Sequence, residues 1–473
     1  MKAIRNAAWL TVGRLIADVL SAVLFVVISR RFGPHGLGQY SYGFAIASFT
    51  LIFSGVGATF GVREFARLPE ERRRNLLARL LALQLAATTA VSLLAVAYVL
   101  LTGTSRDTAI IALLLSIYQV AFGFGQTLFV PACAREAMRL PAVTEAGCRA
   151  GAIVVALAAI AIGGYPLPLA LVPFPVAGLL MVLVGIVSAR RHGAAPSVRV
   201  SLPALRRTFA EAWPFAAADV VVLLYARADL ILLGLLAGEA AAGIYFSGFK
   251  FVEVGVMPAV FLATATYPVL SSRFEGDRAA YRRASGDLLR HALLLGGLLA
   301  WGLLFVVPEL VVPLLGARFA ATPAIVRIMA ALAIMASLEP AFGRILLAAH
   351  RQVACLRIQF FGVVVNVVLN AALIPLMGVQ GAVLASIISL ALMCGRYVWA
   401  ARDLLPESSL LGIAAPWTAI LIAAGLTGAT VQHLAGVWWA GAGGALVVLL
   451  SGALLVAWRE SALRASTRLA SPG

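Results

Sequence analysis

The chain has 473 residues, 62% hydrophobic and 12% charged, with 37 Lys and Arg against 20 Asp and Glu and a mean hydropathy of +0.98. Soluble proteins carry roughly 45–50% apolar and about 25% charged residues, so the composition excludes a soluble fold and reads as an all-α polytopic membrane protein. A helix needs about 20 apolar residues to cross a bilayer, and fourteen predicted spans leave no room for a sizeable soluble domain. In chain order they are 8–29, 40–61, 80–101, 109–130, 142–163, 166–187, 212–236, 241–270, 288–308, 324–347, 358–376, 379–400, 411–432 and 437–458. The first stretch follows Lys2 and Arg5 as a signal peptide would, but it is long, carries Arg14 and Asp18, and ends in Ser29-Arg30-Arg31 without a cleavage site. It reads as a retained span.

A pI near 10.8 would point a soluble chain toward nucleic acid, but in a membrane protein the placement of Lys and Arg carries the information. With the N-terminus cytoplasmic, inner segments and span edges hold 27 of the 37 basic residues, and six lie within spans. The outer segments hold four: Arg30, Arg31, Arg106 and Arg318. This asymmetry predicts a multi-pass protein of the plasma or inner membrane with both termini cytoplasmic and no nucleic-acid partner. The inner runs Arg63 to Arg79, Arg190 to Arg207 and Arg273 to Arg290 read first as topology determinants and second as places for anionic headgroups of membrane lipids. Cys133, Cys148, Cys355 and Cys394 lack CxxC spacing, so neither a disulfide framework nor a zinc site is expected.

The sequence matches itself weakly at an offset of about 205 residues. Trp9 falls against Trp213, Gly38-x-Tyr40 against Gly243-x-Tyr245, and Met138-Arg139 near His350-Arg351. An even number of spans separates the copies, which makes them parallel repeats, one of the arrangements found in transporters. The predicted organisation is a six-helix lobe over 1–189, a basic cytoplasmic linker over 190–211, a second six-helix lobe over 212–402, and a final helix pair with a cytoplasmic tail over 403–473. Small residues in the last pair, Gly441, Gly443 and Gly444 among them, suit close helix packing.

The most informative residues are the charges inside spans, each costing about 2.5–3.5 kcal/mol on insertion scales unless a partner or a watery cavity compensates it. The cations are Arg14, Arg149, Arg227, Lys250, Arg327 and Arg344; the anions are Asp18, Asp219, Asp229, Glu253 and Glu339. Arg14 and Asp18 are four apart and Lys250 and Glu253 three apart, so each pair shares a helix face and can neutralise itself. Arg227 and Asp229, two apart, point to different sides, and Glu339 and Arg344 are poorly spaced within one helix. These charges concentrate in spans from both lobes, which predicts a solvated cationic cleft able to take an anionic ligand. Arg suits phosphate because its planar fork bonds two oxygens at once. The acidic residues balance the cavity or carry a coupling proton or sodium ion. Pro131, Pro173, Pro175, Pro258, Pro308 and Pro340 lie in or beside spans and permit kinks. The five histidines have no ligand spacing, and no Walker A or GxSxG motif occurs, so neither enzyme activity nor a cofactor nor a metal is expected.

Several motifs resemble a known family: Asn6-x-x-Trp9 with Gly13-Arg14, Ser29-Arg30-Arg31-Phe32-Gly33-Pro34, Gly36-x-Gly38-x-Tyr40, Gly57, and Arg63-Glu64-x-Ala66-Arg67. The second lobe adds Ala228-Asp229-x-Ile231-Leu232-Leu233-Gly234, Gly243-Ile244-Tyr245, Pro268-x-Leu270-Ser271, and Pro308 through Gly316-x-x-Phe319. Together they resemble oligosaccharide flippases of the polysaccharide-transporter type, within the superfamily shared with MATE exporters and lipid II flippases. The resemblance implies a two-lobed, monomeric transporter that moves a polyprenyl-diphosphate-linked oligosaccharide to the outer leaflet by alternating access. Polysaccharide polymerase or glycosyltransferase machinery is the implied partner. Carried over residue by residue, Arg14 and Arg31 match basic positions on the first span and its outer end, Asp229 the acidic position of span 7, and Lys250 the basic position after the second Gly-x-Tyr. Two alternatives stay open: a proton- or sodium-coupled multidrug exporter, whose cavity should be acidic and aromatic, and a lipid II flippase.

Overall fold

The computed structural model describes residues 2–51, 60–67, 70–193 and 200–406. The predicted spans 411–432 and 437–458 lie outside the described residues. Within the described chain all regular structure is helical. α1 runs Lys2–Ser48, α2 Val62–Arg67, α3 Glu70–Thr102, α4 Arg106–Leu128, α5 Val130–Ala134, α6 Arg139–Ala161, α7 Leu167–Ala170 and α8 Pro173–Arg191. α9 runs Leu202–Leu236, α10 Glu239–Gly276, α11 Arg278–Phe305, α12 Val307–Leu315, α13 Thr322–Ala348, α14 Gln352–Met377 and α15 Val379–Ala401. Nine helical segments among the described residues are long and apolar enough to cross a membrane. Many large apolar side chains on them are exposed, including Leu93, Leu94, Leu101, Val155 and Leu376, as required of helices whose outer faces meet hydrocarbon.

The chain forms two compact units, Met1–Gly243 and Ile244–Gly473. In the first, α1 packs on α6 and α4, α4 on α8, and α6 on α8; in the second, α11 packs on α13, α14 on α15, and α13 on α15. Lipid provides no hydrophobic drive between helices, so close van der Waals fit does the work. Glycines supply that fit: a Cβ at Gly178 would strike Ala121 on α4, and one at Gly362 would strike Met393 on α15. One end of the first unit is sealed by a buried apolar cluster of Phe60, Phe65, Leu76, Leu77, Leu80, Leu128 and Val130.

The repeat shows most clearly in the turns. α1 continues through two predicted spans across a break at Gly33 (φ 68°), with Pro34 next. Gly238, 205 residues on, takes φ 86° between α9 and α10. Gly103 and Gly316 form a second such pair, 213 apart, and Gly164 and Gly378 a third, 214 apart. Glu136 and His350, also 214 apart, are the non-glycine residues at positive φ among those described. Each closes a helix in the same way: Ala137 N–H donates to the Ala132 carbonyl and Glu136 N–H to that of Cys133, as Arg351 N–H does to Leu346 and His350 N–H to Leu347. This is the Schellman pattern that satisfies terminal carbonyls. A side-chain strap recurs too, Arg74 Nε donating to the Gly193 carbonyl at 2.9 Å and Arg282 Nε to the Asp403 carbonyl at 3.2 Å.

Candidate functional site

The charges of the first unit converge between α1, α6 and α9. Arg149 Nη2 lies 3.1 Å from Asp18 Oδ1 and donates to Ser21 Oγ at 3.1 Å. Asp18 thus has a partner on another helix; the Arg14 side chain, which spacing offers as a partner, is outside the described set. Because Asp18 and Ser21 are three apart on one face of α1, a single guanidinium from α6 engages both. Ser21 Oγ itself donates to the Ala17 carbonyl at 2.7 Å. On α9, the Arg227 guanidinium sits 4.9 Å from the Phe44 ring centre. Tyr40, stacked on Phe44 at 6.2 Å, is close enough to feel both Arg149 and Arg227. Tyr118 also lies in the field of Arg149 and packs edge-on against Phe174 at 5.4 Å. Arg149, Arg227, Tyr40 and Tyr118 therefore lie near one another, with the carboxylates of Asp18 and Glu145 beside them.

That arrangement offers two guanidinium forks and hydroxyl donors to an anion, with aromatic faces alongside. Asp18 pairs with Arg149, and Glu145 also acts on Tyr118, so acidic groups stand beside the cations there. Asp229 is half-buried two residues beyond Arg227, and Arg31 is exposed just before the α1 break, reaching toward Gly164. The Asp219 side chain is outside the described set.

In the second unit the charges are dispersed. Lys250 and Glu253 neutralise each other on α10, Nζ to Oε2 2.7 Å, as their spacing predicts. Arg327 pairs with Glu309 of α12 at 3.5 Å. Arg344 reaches Thr264 Oγ1 at 3.5 Å and lies 5.6 Å from the Tyr267 ring centre. Glu339 accepts a hydrogen bond from Tyr397 Oη at 3.4 Å and another from Gln359, with Arg344 further off. Among the described residues no cation comes within ion-pair distance of Glu339.

Sequence reading missed a cluster at the end of the first unit that carries the α3–α4 turn. Ser105 Oγ and Thr108 Oγ1 each donate to Glu239 Oε1 at 2.5 Å, and His35 Nε2 lies 3.4 Å from Oε2. The Glu239 side chain is only 11% exposed, against 66% for His35. The helices there run close together: a Cβ on Gly38 would meet the Glu239 carbonyl, and one on Gly243 the Pro34 carbonyl. The repeated Gly-x-Tyr pairs were the only sequence sign of this approach. Outside the spans, Asp277 caps α11 by accepting from the N–H groups of Ala279 (2.9 Å) and Ala280 (3.0 Å). The Ala280 N–H foremost, with Ala279, Arg283 and Arg273, holds its carboxyl below the ordinary range against a smaller desolvation effect. Among the described residues no group of three His, Cys, Asp or Glu is placed to hold a metal.

Internally repeated helical units and charges inside membrane-spanning helices are features found in secondary transporters. The solved structures agree in fold. A lipid II flippase MurJ in an inward closed conformation superposes with a TM-score of 0.74 at 16% identity, over 96% of this chain and 99% of that one. An inward-facing multidrug resistance MATE family transporter of the MOP superfamily gives 0.57 at 13%, over 84% and 98%, and the eukaryotic MATE transporter AtDTX14 0.51 at 12%, over 89% and 100%. No curated protein matches the sequence. The family model described as polysaccharide biosynthesis protein matches residues 3–274, more than half of the chain, and the chain belongs to that family.

Proposed function

We propose that the chain is a flippase that carries a polyprenyl-diphosphate-linked oligosaccharide from the cytoplasmic to the outer leaflet by alternating access, for cell-surface polysaccharide biosynthesis. The observation that supports this reading is Arg149 held at Asp18 and Ser21 of α1 together with Arg227 over Phe44, the ring on which Tyr40 stacks. A diphosphate-sugar head cannot cross hydrocarbon unaided, and paired guanidiniums replace its lost hydration while leaving the protein without a buried uncompensated charge. Arg14, Arg31, Lys250, Arg327 and Arg344 then serve as further cations along the route. Asp18, Asp219, Asp229 and Glu253 balance charge. Glu339 is favoured for ion coupling because its donors are the neutral groups of Tyr397 and Gln359. The protein works as a monomer in the plasma or inner membrane, with cytoplasmic termini, and hands its product to the polymerase or glycosyltransferase machinery.

Reconstituted vesicles test this directly. A lectin confined to one face reads the appearance of the sugar of a polyprenyl-diphosphate oligosaccharide. Protein-dependent appearance, lost in Arg149→Gln and Arg227→Gln variants that insert normally, is the expected result. Wild-type vesicles that move no oligosaccharide but expel a small organic cation would place the chain with exporters instead.

A further inference from the structure

The exposed face of the α14–α15 pair carries a break in its apolar pattern. Side chains on one face of a helix recur every three to four residues, and on α14 the exposed residues Val353, Phe360, Val364 and Val368 trace such a stripe. Arg357, also exposed, sits within it. On α15 the stripe is Ile388, Leu392 and Trp399, and exposed Arg396 falls between the last two. The two helices pack against each other across the turn at Gly378. Arg357 is five residues from the start of α14 and Arg396 five from the end of α15, so each lies about 7.5 Å in from the same end of the pair at 1.5 Å per residue. Both address one ring: the Arg396 guanidinium carbon is 4.4 Å from the centre of Phe361, and Arg357 is one turn before Phe361 on the same face of α14. Arg402, just past α15, stacks over Trp399 at 5.0 Å.

A cation on a face that looks into lipid needs a counter-charge, and the protein supplies none here. Among the described residues no carboxylate comes within ion-pair distance of Arg357, Arg396 or Arg402. Asp403, next to Arg402, is engaged by Arg351. Elsewhere in this unit arginines are matched, Arg290 by Asp287 and Arg327 by Glu309. Near a helix end an arginine stem lies along the acyl boundary while its guanidinium reaches the headgroups, and an exposed Trp is at home at the same level. Apolar side chains flank the cations on both helices, so the occupant comes from the bilayer and not from the aqueous phase. We propose that Arg357 and Arg396 bind the phosphate of an anionic phospholipid, with Arg402 closing the site from the water side and Phe360 and Trp399 packing along the acyl chains. Two guanidinium forks suit the oxygens of one phosphodiester. The stripe is open to bulk lipid, where phospholipid far exceeds any carried lipid, and mass action favours it. In the topology proposed above this end is cytoplasmic and the lipid belongs to the inner leaflet; the site does not depend on which substrate is carried.

The test titrates the full-length, delipidated protein in detergent with phosphatidylglycerol or phosphatidylethanolamine and counts bound lipids by native mass spectrometry. The first phosphatidylglycerol should bind more tightly than phosphatidylethanolamine. Its affinity should fall about thirtyfold, equivalent to about 2 kcal/mol, in the Arg357→Gln/Arg396→Gln double variant. Each single variant should lose about fivefold, so a double variant that fails to fold does not decide the matter. Arg206→Gln/Arg207→Gln, which removes two exposed cations at the start of α9, should leave the affinity unchanged. Phosphatidylglycerol affinity kept in the Arg357 and Arg396 variants, or lost equally in the α9 control, would overturn the inference. Displacement of phosphatidylglycerol by an equal concentration of a long-chain polyprenyl diphosphate would overturn the choice of occupant.

Discussion

Replacing Arg149 by Gln removes a partner that Asp18 holds at 3.1 Å and leaves its half-exposed carboxylate without that cation. Two unit charges at that distance attract by about 5 kcal/mol at an effective dielectric near 20. The side chains are 36% and 53% exposed, which discounts that figure, and coupling energies of contacting residues run about 0.5–3 kcal/mol. A loss of about 2 kcal/mol on Arg149→Gln is therefore expected, and about the same on Asp18→Asn, with most of it recovered in the double variant. Thermal unfolding in detergent gives the cycle, and the lectin assay is run on the same four proteins. The double variant should be stable and yet fail to move oligosaccharide, because the cation is needed by substrate as well as by Asp18. If the two stability losses simply add, the ion pair does not hold Asp18. If the stable double variant transports like the wild type, Arg149 is only a counter-ion, and the substrate role assigned to it is wrong.

Arg227→Lys keeps the charge but loses the planar fork and its fit over Phe44, so transport should drop about tenfold with insertion unchanged; equal rates for Lys and Arg would show that charge alone suffices. Gly38→Ala drives a methyl into the Glu239 carbonyl and should cost about 1–3 kcal/mol by detergent unfolding; a neutral result would mean the α1–α10 approach is looser than drawn. Asp277 has a carboxyl held below its usual range by the Ala280 N–H above all, so its capping contribution is full above the unfolded value of about 3.9 and fades as pH falls through the lower folded value. The stability gap between wild type and Asp277→Ala should thus be flat from neutral pH down to about 4 and close below it; a gap that widens with acid would contradict the cap. Glu339→Gln should abolish any dependence of transport on an imposed proton gradient, and a wild-type gradient response in that variant would exclude Glu339 as the coupling group.

The helical, membrane-spanning character was legible because it is written in composition and in runs of apolar residues, which no tertiary context overrides. Lys250 and Glu253 were legible as well, since a three-residue spacing on one helix fixes their meeting. The pairing of Asp18 with Arg149 was not legible for the converse reason: spacing sees only neighbours on the same helix, and Arg149 arrives from α6. Nothing near Glu239 in sequence marks it, because Ser105 and Thr108, which donate to its carboxylate, lie more than a hundred residues earlier. Tyr40 belonged to a recognised Gly-x-Tyr pattern, but only the fold puts it beside two guanidiniums. The positive-φ glycines were visible as glycines, whereas nothing in the letters of Glu136 or His350 announces a left-handed backbone.

Those paired turns carry a consequence for how such a molecule can change. Among the described residues the turns of the backbone are written twice, while the charged groups are not: Arg149 and Arg227 lie near Tyr40 and Tyr118 in the first half, and the Tyr397-bonded carboxylate of Glu339 sits in the second. Under the function proposed above, load and drive would be altered separately: headgroup chemistry by exchanging side chains around Tyr40 without redrawing any turn, and the energy source by changes around Glu339.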